Sequence, residues 1–193
     1  MTTEELGRKY PIVMAEYDPR WPERYEEEAR FLRSRFGPDV VRRVEHFGST
    51  AVPGLASKPI IDVLVEVASF EAAERDVRPV LEAEGYVYIW RPQGGSDNSA
   101  GHILFVKGYG PDGYLDGVQR YHLHLAPGDD PIWERLLFRD WLRTHPDTAE
   151  RYTDLKRRLA DAHRHDREAY TAAKTGFIAD VMEQARAASW PSR

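Results

Sequence analysis

The chain has 193 residues and is 41% apolar, enough for one packed core, and residues 1–193 read as a single domain. Its formal net charge of −5 excludes the broad basic face of a long nucleic-acid binder, but leaves room for a nucleotide in a local basic pocket. Cysteine is absent, which excludes disulfides and thiolate metal sites, and no apolar run approaches the roughly 18 residues that cross a membrane.

The first ten residues are polar and lack the apolar centre of a secretory leader, so a cytoplasmic location is expected. Tyr10 to Asp18 is a short lead-in with a weak strand pattern. Asp18-Pro19 and Pro22 signal a helix start. Tyr25, Ala29, Leu32 and Phe36 then fall on one helical face, and Gly37-Pro38 ends it. Val40 to Phe47 reads as a strand entering Gly48-Ser49, and residues 50–58 as a loop or short helical turn. Pro59 to Val67 is nearly continuous apolar sequence, broken by Asp62 and Glu66, which suits a central strand covered on both faces. Phe70 to Glu84 is predicted helical, restarting near Pro79 and stopped by Gly85.

Two strands are predicted next, Tyr86 to Arg91 and His102 to Lys107, joined by a hairpin loop from Pro92 to Gly101. Gly108 to Gly117 is a second Gly-rich loop. Gln119 to Leu125 alternates as a strand with His122 and His124 on one face. Beyond Pro127-Gly128 three helices are predicted: one through Ile132, Leu136, Trp141 and Leu142, one through Tyr152, Leu155 and Leu159, and one from Tyr170 to Val181 that ends near Trp190-Pro191. A helix, then mixed strands, then helices is an α+β order with a small mixed sheet.

The chemistry-bearing residues cluster around the Gly48-Ser49 turn and the strand after it. Glycine lets backbone approach a ligand, and successive amides with a serine hydroxyl can hold phosphate oxygens; the same pair also makes an ordinary tight turn. A carboxylate in a Val/Ile/Leu strand is costly unless it reaches the strand's exposed end, a cation or a basic side chain, and Asp62 faces that choice. Glu66 lies on the same strand face but about 13 Å away, too far to share one ion, and reads as a strand-end charge. His122 and His124 stand about 6–7 Å apart on one face. Such a pair can hold a divalent metal, position phosphate or act as base, or be structural. His46, just before the turn, is a candidate for the same pocket. On the helical half, Arg143 and Lys156 read as solvated faces or ion pairs. Arg139 and Lys174 stand beside Phe138 and Phe177, at a buried edge suited to an anion.

Several blocks together resemble the GrpB family, whose members are predicted to belong to the nucleotidyltransferase superfamily. They are Glu45-His46-Phe47-Gly48-Ser49-Thr50-Ala51-Val52-Pro53-Gly54-Leu55-Ala56, Lys58-Pro59-Ile60-Ile61-Asp62 and His122-Leu123-His124-Leu125. Phe138-Arg139-Asp140-Trp141-Leu142-Arg143, Tyr152-Thr153-Asp154-Leu155-Lys156 and Tyr170-Thr171-Ala172-Ala173-Lys174 continue the series, in the family's order. The resemblance implies a nucleotidyltransferase-like mixed sheet flanked by helices, with a C-terminal helical half. It implies a nucleoside triphosphate or phosphorylated small molecule as ligand. Gly48, Ser49 and Thr50 would hold its phosphates, while Lys58, Arg139 and Lys174 neutralise them. Asp62 would bind Mg²⁺ or Mn²⁺, with His122 and His124 completing the metal site or serving as base.

The superfamily pattern is Gly-Ser, a spacer, then Asp-x-Asp or Asp-x-Glu. Twelve residues separate Ser49 from Asp62, which fits, but Leu64 stands where the second acid belongs. The expected activity is transfer of a nucleotidyl or phosphoryl group to a small-molecule or protein acceptor. Two alternatives stand beside it: an inactive phospholigand-binding module, to which Leu64 points, and a metal-dependent hydrolase or lyase built on Asp62, His122 and His124. The family is also similar to a domain fused to dephospho-CoA kinase in some bacteria, which points toward nucleotide or CoA-like ligands.

Overall fold

The computed structural model describes residues 2–91 and 101–188. Strand β1 (Val41–Phe47) is antiparallel to β2 (Ile60–Val67), and β3 (Val87–Arg91) is antiparallel to β4 (His102–Lys107). Two short strands, β5 (Tyr109–Gly110) and β6 (Gly113–Tyr114), form a separate hairpin. Strand β7 (Arg120–Ala126) then inserts between the two pairs, parallel to β2 and antiparallel to β4. The result is one mixed sheet in the order β1-β2-β7-β4-β3, as the α+β reading expects.

Strand alternation separates the two faces. Val44, Ile61, Val63, Val65, Leu123, Leu125, Ile103 and Phe105 form one face of the core. Helix α2 (Trp21–Arg35) covers it with Trp21, Tyr25, Ala29 and Leu32, the four-residue spacing that the sequence displays, and Pro22 sits in its first turn. The predicted helix from Phe70 is interrupted. A short turn, α3 (Phe70–Ala72), leads through a π-helical segment (Ala73–Val77) into α4 (Arg78–Ala83), with Pro79 in the restarting turn. That segment directs Ala73, Val77 and Leu81 into the same core.

The opposite sheet face is covered by Ile132 and Leu136, which pack on Phe47, Leu64 and Ala126. Ile132 belongs to a 3₁₀ turn (Pro131–Glu134) and Leu136 to α5 (Arg135–Thr144). Helix α6 (Pro146–Ala162) follows at once. The predicted third helix is divided into α7 (Arg167–Ala172) and α8 (Thr175–Ala187). The break at Ala173–Lys174 lets Tyr170 join Ile12 and Ala160, while Phe177 and Ile178 pack beside Tyr152 and Leu142.

Three further differences from the sequence reading have local causes. Residues Thr3–Lys9 form helix α1, nucleated by a capping box in which Thr2 and Glu5 bond each other's backbone amides. The strand-like lead-in shrinks to a single bridge between Ala15 and Ser57. The second Gly-rich loop carries the β5–β6 hairpin, where Tyr10 meets Tyr109 edge to face and both rings pack tilted against Tyr114. The predicted hairpin loop over residues 92–100 and the helix end at Trp190-Pro191 lie outside the described residues.

His46 does not face the Asp62 side of the sheet. Its register partner is Val63, so it points to the α2 side, where it stacks on Tyr25 at 4.7 Å and meets the Thr50 hydroxyl at 3.1 Å. Burial drives its pKa from 6.5 down to about 4, opposed by Asp62 and aided by Arg143 and Arg139. The unfolded chain therefore binds a proton that the folded chain refuses. Stability from this site is full above pH 6.5 and falls as the pH drops toward 4. The expected loss is roughly 3 kcal/mol at the acid end, since each tenfold change in proton affinity is worth about 1.4 kcal/mol. Denaturant unfolding across this range should show it, and His46→Gln, which cannot protonate, should flatten the profile. An unchanged profile in the variant would place the acid sensitivity elsewhere.

Candidate functional site

The parallel register of β2 and β7 sets Asp62 opposite His122 and Leu64 opposite His124. All four side chains emerge on the sheet face away from α2. Asp62 Oδ1 lies 3.4 Å from His122 Nδ1 and 3.7 Å from His124 Nε2. These are long for hydrogen bonds, but close to the separation of about 3.4 Å expected for two ligands each some 2.1 Å from one tetrahedral ion. One donor atom from each of the three residues lies within 4.8 Å of the others.

The outer nitrogens of both imidazoles are also held. His122 Nε2 is 2.6 Å from the Tyr109 hydroxyl, and His124 Nδ1 is 3.0 Å from His102 Nε2. Metal-binding histidines usually have such second partners, which fix ring orientation and tautomer. Burial pushes the Tyr109 pKa to about 12, so its hydroxyl keeps its proton and can donate or accept.

Charge in the cluster is well defined. Burial works to raise the Asp62 pKa, but its interactions with His122 and His124 prevail and hold it far below the carboxylate range. Burial lowers His122, and takes His124 to about 4, against the pull of Asp62. At neutral pH the cluster is one carboxylate between two neutral imidazoles, the protonation state that a cation requires.

Gly48 is required by Asp62 as much as by any ligand. Its φ is +70°, and a Cβ there would lie 2.6 Å from Asp62 Oδ2. It opens a 3₁₀ turn (Ser49–Ala51) whose Ser49 reaches the Tyr152 hydroxyl at the cavity wall. Thr50 does not face the cavity. It is 1% exposed, and its hydroxyl donates to the Ile60 carbonyl at 3.0 Å. Glu66 also stays apart, against the backbone at Gly128.

A cavity of about 480 Å³ joins the Asp62 cluster to the helical half. Lys58 and Lys174 line it, with their ammonium groups 5.4 Å and 4.3 Å from the centre of the Tyr170 ring. Arg139 reaches the same wall, but its guanidinium serves the fold. It donates to Glu45 at 3.0 Å, to the His46 carbonyl at 2.8 Å and to Asp140 at 2.7 Å, tying α5 to β1.

Four further residues escape sequence reasoning: Lys156, Arg167 and His102, which line the cavity, and Tyr109, which holds His122 from behind. Lys156 is 2% exposed, not solvated. Its signal was present in the spacing Tyr152, Lys156, Ala160, the inward stripe of α6. Tyr109 had no comparable signal, because it depends on how the hairpin folds over β7.

Comparison with known proteins agrees with this architecture. Residues 11–184 match the family described as GrpB protein. A UPF0157 protein of Pseudomonas aeruginosa is 40% identical over 172 residues, covering 89% of this chain and 66% of that protein. The UPF0157 protein YqkA of Bacillus subtilis is 36% identical over 180 residues, covering 93% of this chain and 48% of YqkA. The chain thus spans from about half to two thirds of these two relatives' length. A more distant match is a dephospho-CoA kinase of Mycolicibacterium paratuberculosis, 29% identical over 201 residues and covered to 48% of its length. The crystal structure of the conserved protein GrpB from Enterococcus faecalis superposes with a TM-score of 0.75 at 34% identity, covering 93% of this chain and all of that one. No helix among the described residues is long and apolar enough to cross a membrane. By sequence and by fold, the chain belongs to the GrpB family.

Proposed function

We propose that this protein is a metal-dependent enzyme that transfers a nucleotidyl or phosphoryl group from a nucleoside triphosphate to a small-molecule or protein hydroxyl. The observation that carries this reading is the convergence of Asp62, His122 and His124 donor atoms within 4.8 Å, at the wall of a cavity that also presents Lys58 and Lys174. A divalent ion held by the three would neutralise phosphate oxygens and polarise the reacting phosphoryl group. Two imidazoles and one carboxylate suit Mn²⁺ or a later transition ion better than Mg²⁺, which favours oxygen ligands.

The residues divide the work. Asp62 brings the negative charge, and the low basicity of His124 suits a ligand better than a general base. Tyr109 and His102 hold the imidazole rings. Ser49 and the turn amides border the phosphate position, and Lys58 and Lys174 draw off negative charge. The match to a dephospho-CoA kinase supports a phosphorylated, nucleotide-like ligand.

A specific observation favours a second reading, a one-ion hydrolase or lyase acting on a phosphorylated ligand. Leu64 is fully buried among Phe47, Ala126, Ile132 and Leu136, so the place of a second carboxylate is filled by core. Transfer and hydrolysis separate in one assay: hydrolysis releases phosphate from a nucleoside triphosphate or other phosphoester without an acceptor, and transfer requires one.

Asp62→Asn removes the only anionic donor of the cluster. Calorimetry should show Mn²⁺ affinity reduced by more than about tenfold, and metal-dependent nucleotide binding and turnover should be lost. Full activity in this variant would refute both readings. Gly48→Ala would place a Cβ 2.6 Å from Asp62 Oδ2 at a φ of +70°. The fold should survive at a cost of about 1–3 kcal/mol, while Mn²⁺ affinity drops because the carboxylate is displaced. Wild-type affinity in Gly48→Ala would show that the carboxylate position is not critical.

A further inference from the structure

The wall facing the Asp62 cluster carries positive charge that the fold itself does not answer. Lys156 projects from α6 into the buried floor, donates to the Ala56 carbonyl and lies 4.8 Å from the centre of the Tyr152 ring. Lys58 comes from the loop before β2 and leans on Tyr170. Arg167, at the start of α7, reaches the Tyr10 carbonyl at 3.1 Å and the Tyr114 hydroxyl at 3.2 Å, leaving donors for a further partner. Among the described residues no carboxylate forms an ion pair with Lys58 or Lys156. Glu168 borders the cavity but is exposed and pairs with neither. Asp62 is the one acid whose charge reaches Lys58.

Buried ammonium groups without counter-ions are expensive. Lys156, 2% exposed, and the half-buried Lys58 both show the cost. Burial, with repulsion from Lys174 and Arg167, takes Lys58 down to about 7, and burial with repulsion from Lys174, Lys58 and Arg157 does the same to Lys156. Hydrophobic residues would fill these positions at lower cost, so the arrangement makes sense where a ligand brings the missing negative charge.

We propose that Lys58, Lys156 and Arg167 form an anion subsite of their own, which takes a terminal phosphate monoester without a metal ion. This deepens the reading given above and rests on it for the second anchor: a phosphoryl group at Asp62, His122 and His124. The acceptor is then a small molecule whose own phosphorylated or otherwise anionic end lies at this wall, with the transferred phosphoryl group at the other. The Tyr152 and Tyr170 rings on which the lysines lean give the non-reacting part of the ligand an apolar surface.

The test uses the full chain stripped of metal with a chelator, and inorganic phosphate and pyrophosphate as probes in calorimetry. Both anions should bind without metal. Lys58→Gln and Lys156→Gln should each weaken binding at least tenfold, with circular dichroism confirming a native fold. Lys156→Gln keeps a donor for Ala56 and should melt no lower than the parent, since it removes a charge from a repulsive cluster. Asp62→Asn should retain or tighten metal-free phosphate binding. Binding that appears only with Mn²⁺, or that survives both lysine substitutions, would overturn the subsite. Should Lys58→Gln alone fold natively, its phosphate affinity decides the question. Turnover by Asp62→Asn would defeat the metal-dependent reading while leaving the subsite intact, and failure of metal-free phosphate binding would do the reverse.

Discussion

Everything at the candidate site depends on the parallel pairing of β2 with β7. That register puts Asp62 directly beside His122 and one step from His124. Interactions with the two imidazoles across the strand gap hold the carboxylate ionised, and burial keeps the imidazoles below their usual basicity against the carboxylate's pull. A slip of one residue in either strand would turn Asp62, or both histidines, into the apolar face under α2 and part them. Gly48 is part of the same constraint, since the turn must pass against the Asp62 carboxylate with no side chain between them.

The cavity is polarised by construction. One wall, built on the sheet, offers an anion and two neutral nitrogen donors. The other, built on the helical half and the loop before β2, offers lysines held against tyrosine rings. Such separation of buried charge costs stability, which is the physical reason to propose a ligand that brings both cation and anion partners. Arg139 shows the contrast. It is as buried as Lys156, but its donors are consumed by Glu45, Asp140 and a backbone carbonyl, and it fastens α5 to β1.

Much of this was legible from local pattern. The apolar run from Pro59 to Val67 identified the central strand, and the interruption at Asp62 marked the residue that meets the histidines. The alternation around His122 and His124 predicted a strand with both rings on one face, and that face meets Asp62. Local pattern misled where a residue's role depends on distant neighbours. His46 and Thr50 flank the Gly48-Ser49 turn in sequence, yet they bond each other in the interior. Lys156 looked solvated among the charges of its helix, although its four-residue spacing from Tyr152 and Ala160 marked it as inward.

The sequence by itself determined the longer elements, the family and the candidate carboxylate and histidines, because helix and strand periods and turn chemistry are short-range properties. Only the tertiary structure decided which groups share a cavity. The parallel β2–β7 pairing joins residues sixty positions apart. The hairpin sets Tyr109 on His122, and the break between α7 and α8 lets Tyr170 stand between Lys58 and Lys174. Those contacts arise from long-range packing, for which no window of the chain carries a signal. The step from a Gly-Ser turn and one aspartate to a two-walled site therefore belongs to the fold.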